Sequence, residues 1–345
     1  MSFALALQEL KTGNITFENI QTVLLADQHT ASQLFALAQE IRFAIMGKKV
    51  FLRGLIEFSN YCRNSCAYCG LNISVKNQIR YRLNLSEILE CAAIAQDLGY
   101  QTLVLQAGED AYYTSEKFTS IISTLKDKYP TIALTLSFGL HSKTDYQTWF
   151  KAGADRYLMR FETSNAQLFA QHRPGTNLQE RLTALSDLQE IGYQVGTGNL
   201  IGLPGQTLTD LVNDILLLYK LQPDMIGVGP FIPHPATLLA NEPAGDVFLA
   251  LKELAILRII LPYVHLPATT AFGTLKESGQ LLALNAGANV IMPNVSPETS
   301  RKLYAIYPNK AGSLENSTQT HARILNTISK AKLEADFSRG DSYKL

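Results

Sequence analysis

The sequence predicts an α/β protein built on a (β/α)8 barrel of the TIM type, with a helical extension before the barrel and a helix after it. Three observations predict it. Eight short apolar runs recur between residues 50 and 292, each followed by a polar or glycine-rich loop and an amphipathic segment. Glycine punctuates the return to the next run in LGY (98–100), AGA (152–154), IGY (191–193) and AGA (286–288), where helices commonly stop. Eight units over roughly 240 residues match the size of such a barrel. The alternative, an open doubly wound sheet, is disfavoured by the number of units and by the lack of G-x-G-x-x-G after the first run.

Residues 1–47 read as helices. Thr16 opens T-F-E-N, a capping residue with an acid in the first turn. From Thr30 to Met46 the apolar residues Leu34, Leu37, Ala38, Ile41 and Ile45 fall at helical spacing, and Gly47 is a stop. The eight strands are read at Val50–Phe58, Thr102–Gln106, Ile132–Phe138, Tyr157–Phe161, Val195–Ile201, Met225–Val228, Val264–Ala268 and Asn289–Met292. Short apolar runs are what parallel strands buried on both faces show. Helices are expected near 86–98, 115–128, 143–152, 178–191, 207–221, 246–261 and 276–285, with Ser86 placed to cap the first. A last helix is expected near 318–333, followed by a polar end that frays. The expected division is a helical extension over 1–48, the barrel over 49–300 and a helical tail over 301–345.

The 345 residues carry no net charge, and 46% are hydrophobic. Neither a nucleic-acid footprint nor a membrane-spanning stretch is present, and the start lacks the marks of a signal peptide. The expected location is the cytoplasm. Three of the four cysteines fall within eight residues, Cys62-Arg-Asn-Ser-Cys66-Ala-Tyr-Cys69, in the loop after the first strand. In a barrel that loop lies at the C-terminal mouth, where active sites sit. Three thiolates suit an iron–sulfur cluster and leave one iron of a cubane free for a small molecule. Zinc or unligated thiols are the alternatives, but zinc would need a fourth ligand. Cys91 lies with Ile88, Ala92 and Ala95 on an apolar helix face and reads as a small buried hydrophobe.

At these residues the chain resembles the radical S-adenosylmethionine (SAM) superfamily, whose signature is C-x3-C-x-aromatic-C. The resemblance implies a [4Fe–4S] cluster on Cys62, Cys66 and Cys69 and SAM as the second cofactor, with Tyr68 beside the adenine. It assigns Ala107, Gly108 and Glu109 to the motif that meets the SAM amino group. Arg160, Glu162 and Arg181 resemble the polar set for ribose and carboxylate, and the Gly198–Gly202 element resembles the one that contacts adenine. Without the resemblance, Arg160, Glu162 and Arg181 also read as a structural ion-pair network, and GLPG (202–205) as a turn. More narrowly, "IEFSNYCRNSCAYCGL", "LQAGED", "GADRYLMRFET", "GPFIPHPATLLA" and "AGANVIMPN" resemble the HydE type of [FeFe]-hydrogenase maturases across residues 50–308. Biotin synthase and methylornithine synthase share the barrel. Some members of the type carry three further cysteines near the C-terminus. Gly312, Thr320 and Arg323 stand at those places, so no second cluster is expected there.

The implied activity is reductive cleavage of SAM to a 5′-deoxyadenosyl radical. It would act on an organometallic or amino-acid-like small molecule supplied by the maturase HydG, with the product passing to the scaffold HydF. Ferredoxin or flavodoxin would be the reductant. A methylornithine-synthase-like mutase and a non-catalytic cluster carrier remain the rival readings. Met225, Thr269, Thr270 and Met292 lie where strands six to eight would border the cavity; for the two methionines barrel core is the alternative. Arg53, a charge inside a strand, is read either as a holder of substrate anion beside Thr269 and Thr270 or as the partner of a carboxylate at the barrel's lower end.

Overall fold

The computed structural model describes residues 1–344. Its strands are β1 (Lys49–Leu52), β2 (Gly54–Ser59), β3 (Thr102–Ala107), β4 (Ala133–Ser137), β5 (Arg156–Leu158), β6 (Gln194–Thr197), β7 (Leu200–Ile201), β8 (Met225–Ile226), β9 (Gly229–Pro230), β10 (Val290–Ile291) and β11 (Glu334–Asp336). Parallel pairing runs β2-β3-β4-β5-β6-β8. Single parallel bridges Met225–His265 and Pro267–Val290 carry the ring through residues 264–268 to β10, and Leu55–Asn294 returns it to β2. The ring closes with eight positions, as the sequence predicts.

Two expected strands are each built in two pieces. The first run breaks at Arg53, so β1 pairs with β10 below while β2 pairs with β3 above. The fifth breaks at Gly198, whose φ is +153°. A Cβ there would lie 2.2 Å from the Gly227 carbonyl oxygen, so only glycine lets the two strands approach before β7 and β9 pair beyond it. Residues 264–268 hold their place through backbone bonds such as Ile226 N–H to His265 O (2.9 Å) and Ala268 N–H to Val290 O (2.8 Å).

The helices fall close to the expected spans, and the differences have local causes. Asn84, not Ser86, caps Leu85–Asp97. Its side chain accepts from Glu87 N–H while Glu87 accepts from Asn84 N–H, a reciprocal box that puts Ser86 inside the first turn. A short helix, Ala166–His172, precedes Leu178–Ile191; its seven residues are too few for periodicity to announce. The seventh expected helix is Gly279–Asn285, and a short helix that was not expected, Thr270–Leu275, precedes it.

Helix Val247–Ile260 is buried from Ala250 to Ile260, since the N-terminal helices Phe17–Leu24 and Ala31–Met46 cover its outer side. That explains an apolar stretch with no polar face. The expectation of a fraying end is corrected. After helix Ser317–Lys330, β11 pairs with β1 in parallel, and residues 339–344 run beneath the barrel. Arg339 binds Asp155 (2.9 Å) and Asp341 binds Arg156 (2.6 Å), so the polar residues of this segment have partners on the barrel floor.

Candidate active site

A cavity of about 340 Å³ opens at the C-terminal ends of the strands. Cys62, Cys66, Cys69 and Tyr68 line one side, and Ala107, Gly108, Glu109, Arg160, Glu162 and Arg181 line another. Thr269, Thr270 and Met292 line it as well.

The cysteine loop is held by backbone bonds. Ala67 N–H donates to His172 O (2.8 Å), Gly70 N–H to Ile306 O (2.9 Å) and Arg63 N–H to Glu109 O (3.0 Å). Arg80 donates to the carbonyls of Leu71 (2.9 Å) and Asn72 (2.8 Å) and also reaches that of Asn60. Gly108 lies directly beneath; a Cβ would sit 2.2 Å from Tyr61 O and 2.7 Å from Cys62 Cβ. His234 packs on Gly70 and accepts from Ala236 N–H (3.1 Å), so it serves the loop over the cysteines.

All three thiols are free, and burial pushes them up, Cys69 to about 12. Such thiols give up their protons to a metal rather than to water. Among the described residues, no three His, Cys, Asp or Glu side chains converge on a single-ion site. Three thiols around a cavity therefore fit a cluster with several irons better than a closed zinc tetrahedron.

Opposite the thiols, charged side chains form a ring. Glu109 meets Arg181 at 3.1 Å, Arg63 at 3.5 Å and Arg173 at 3.7 Å. Glu162 meets Arg160 at 3.5 Å and Arg173 at 3.9 Å, and its Oε2 is buried without a hydrogen bond. The Glu162 backbone is held at φ +71°, a conformation that costs energy in a non-glycine residue and is typical of functional sites. Arg173 also donates to the Tyr68 hydroxyl at 2.8 Å. Burial holds that phenol well above its ordinary value, so it stays neutral.

Two expected substrate residues lie elsewhere. Arg53 and Met225 line a second, much smaller cavity at the floor with Arg156 and His265. Arg53 donates to Gly340 O (3.1 Å) and to the Met225 sulfur (3.2 Å). Both residues stand at the N-terminal side of their strands. Gly54–Ser59, at about 3.3 Å per residue, separates Arg53 from the mouth. Arg53 thus cannot join Thr269 and Thr270. It faces the floor, as its alternative reading had it, although its bonds go to a carbonyl and a thioether and not to a carboxylate. Gly202 lies behind the cavity wall in a turn (φ +83°), its N–H donating to Gln206 Oε1 (2.7 Å). The wall itself is Leu200, which clusters with Leu168, Leu203 and Phe231 against Tyr68.

Arg173, Glu57 and Lys310 were not singled out in the sequence. Glu57 carried the same signal as Arg53, a charge inside an apolar run. Arg173 follows a helix too short to read, and Lys310 sits in a loop with no pattern.

The chain from residue 56 to 218 matches the model of the radical SAM superfamily. It is 46% identical over 93% of its length, and 92% of the relative's, to the [FeFe] hydrogenase maturase subunit HydE of Thermotoga maritima. The chain belongs to the radical SAM superfamily, in its HydE family. It is therefore an enzyme whose cofactors are a [4Fe–4S] cluster and SAM. More distantly, it is 27% identical over 94% of its length, and 92% of the relative's, to 3-methylornithine synthase of Methanosarcina barkeri. The crystal structure of methylornithine synthase superposes with a TM-score of 0.85 at 25% identity, covering 96% of this chain and 97% of that one. HydG shares the fold at 21% identity and a TM-score of 0.82, covering 97% of this chain and 76% of that one. No helix among the described residues is long and apolar enough to cross a membrane.

Proposed function

We propose that this HydE-family enzyme acts in the assembly of the [FeFe]-hydrogenase diiron cofactor. Its site is the cavity in which Cys62, Cys66 and Cys69 face the ring of Glu109, Glu162, Arg160, Arg173 and Arg181. That single juxtaposition carries the reading. When bound, the reduced cluster and SAM supply a reductive cleavage of a sulfur–carbon bond that yields methionine and a 5′-deoxyadenosyl radical.

The chain's own residues do the positioning. Cys62, Cys66 and Cys69 hold three irons. Backbone groups at Ala107 and Gly108, with Glu109, take the ammonium of SAM. Arg181 and Arg173 balance Glu109 and leave a guanidinium edge for the SAM carboxylate, a charge-assisted pairing. The orphaned Glu162 Oε2 accepts from the ribose hydroxyls, which repairs its missing hydrogen bond. Tyr68, kept neutral and fixed by Arg173, packs with Leu200 and Leu203 against the adenine, and Gly202 shapes the turn behind them.

Beyond SAM, Thr269 and Thr270 offer hydroxyls to an anionic substrate group. Thr270 already shares a hydrogen bond with the Tyr307 hydroxyl (2.9 Å). Met292 gives the cavity a soft, apolar wall. The substrate is an iron–carbonyl–cyanide–cysteine complex from HydG, the product moves to HydF, ferredoxin or flavodoxin reduces the cluster, and the site of action is the cytoplasm. With reduced protein and SAM, the complex made by HydG should raise 5′-deoxyadenosine formation. Formation of 3-methylornithine, or indifference to the complex, would overturn the substrate assignment.

A further inference from the structure

Behind the cofactor wall two carboxyl groups lie in the core without a cation. Asp214 on helix Leu208–Leu221 is 0% exposed, as is Glu253 on helix Val247–Ile260. Asp214 accepts from Ser164 N–H (2.5 Å), Ser164 Oγ (2.6 Å), Gln206 Nε2 (3.2 Å) and Asn199 Nδ2 (3.4 Å). Asn199 lies beside Glu253 as well. Yet both Glu253 oxygens and Asn199 Oδ1 are buried with no hydrogen bond.

The neighbouring charges are engaged elsewhere. On Glu253's own helix, Lys252 binds the carbonyl of Ala26 (2.9 Å) and also that of Leu24, while Arg258 binds the carbonyls of Gly287, Pro262 and Val264. From the N-terminal helices, Arg42 binds the carbonyls of Ala288, Gly47 and Lys49. From the helix of Asp214, Asp210 accepts from Thr207 and Asn165. Three buried acceptors thus lack a donor, and two carboxyls lack a counter-charge. One proton on Glu253 gives Asn199 Oδ1 its donor and leaves one buried charge where there would be two.

We infer that Glu253 is a positioning residue held as a neutral carboxylic acid, whose hydroxyl donates to Asn199 and locks the two loops that border the SAM site. Burial raises Asp214 as well, to about 7, but the proton belongs on Glu253 because Asp214 accepts four hydrogen bonds that favour its anion, whereas Glu253 has only Asn199 beside it and no well-formed hydrogen bond. The geometry gives it a task. Asp214 holds Ser164, two residues past Glu162, and also holds Gln206. Gln206 in turn binds Gly202 N–H (2.7 Å), Leu203 N–H (3.3 Å) and Leu200 O (3.0 Å), so it shapes the apolar wall. Asn199 forms a bridge with Glu162 itself. Burial, with Asp214 alongside, pushes the Glu253 carboxyl up to about 8. A carboxyl raised on folding contributes fully only below its unfolded value and loses that contribution progressively as the pH rises from there through the folded one.

The inference rests on the SAM reading above. The test uses cluster-loaded protein, wild type and Glu253→Gln, between pH 6.5 and 9.5. Thermal midpoints, SAM affinity by calorimetry and infrared difference spectra are recorded. In the wild type SAM affinity should fall about tenfold per pH unit above the folded value, while the thermal midpoint should fall as the pH rises toward that value and level off above it. Glu253→Gln, whose amide still donates to Asn199, should bind SAM at pH 7 as the wild type does and show neither fall. A protonated-carboxyl stretch present at pH 7 should vanish in the variant. Superimposable pH profiles with no such stretch would overturn the inference. So would affinity at pH 9.5 restored by potassium or sodium ions in the wild type alone, since the carboxyls would then hold a cation. Failure of both proteins to bind SAM at any pH, with the infrared band intact, would instead fault the SAM reading.

Discussion

Lys310 reaches into the barrel to place its ammonium 2.5 Å from Glu57 Oε1, and both side chains are buried. Asn294 binds the other Glu57 oxygen at 2.7 Å, and Lys310 also donates to Tyr304 O at 3.1 Å. The pair lies in the cavity wall beyond the cysteines and ties the segment after the last strand to the first. Lys310→Met should cost about 3–5 kcal/mol, because it leaves Glu57 buried without a counter-charge. Lys310→Met combined with Glu57→Gln should recover much of that loss. Urea unfolding of the single and double variants checks both.

Replacing Cys62, Cys66 or Cys69 by Ala should abolish bound iron in anaerobically reconstituted protein, which otherwise holds about four irons by the stoichiometry of a cubane. Cys91→Ala should keep its iron, since Cys91 packs in the core of helix Leu85–Asp97. Iron analysis with ultraviolet–visible spectra decides. A second iron–sulfur signal in a Cys62/Cys66/Cys69 triple variant would contradict the single-cluster account.

Glu162→Gln and Arg173→Ala should each weaken SAM binding with iron content unchanged. Arg173→Ala removes the donor to Tyr68 and a guanidinium from between two carboxylates, at a cost of about 2–5 kcal/mol in binding. Calorimetry with SAM measures it. Unaltered affinity in both variants would make the ring structural only.

The C-terminal segment should govern acid stability. Burial opposes ionisation of Asp341, but hydrogen bonds from Arg339 and Arg156 outweigh it and hold the carboxyl well below its ordinary value. Its contribution is therefore complete above about pH 4, the unfolded carboxyl value, and is lost as the pH falls toward the folded one. Urea midpoints measured down through that range should drop more steeply in the wild type than in Asp341→Asn. Parallel curves would contradict the assignment.

Most of the barrel was legible because its signals are local. Apolar runs, glycine stops and capping residues lie next to the elements that they define. The cysteine triad was legible for the same reason, its three thiols sharing one loop. What escaped depended on distant pairing. Nothing near Arg339 or Asp341 shows that their partners Asp155 and Arg156 lie on the barrel floor. Arg53 was legible as an anomaly, but whether it served the mouth or the floor was not, because a single long strand hides the break that turns its first half toward β10. Glu253 and Asp214 read as ordinary helix acids; only packing of both helices behind Asn199 makes them unusual.

Hydrogenase maturation reconstituted from purified components bears most directly on the central claim. Apo-hydrogenase is incubated with HydG, HydF, SAM and reductant, with and without this protein, and hydrogen evolution is measured. Activity should appear with the wild-type protein and not with the Cys66→Ala variant. Equal activity without the protein, or with Cys66→Ala, would contradict a maturase acting through the cysteine triad.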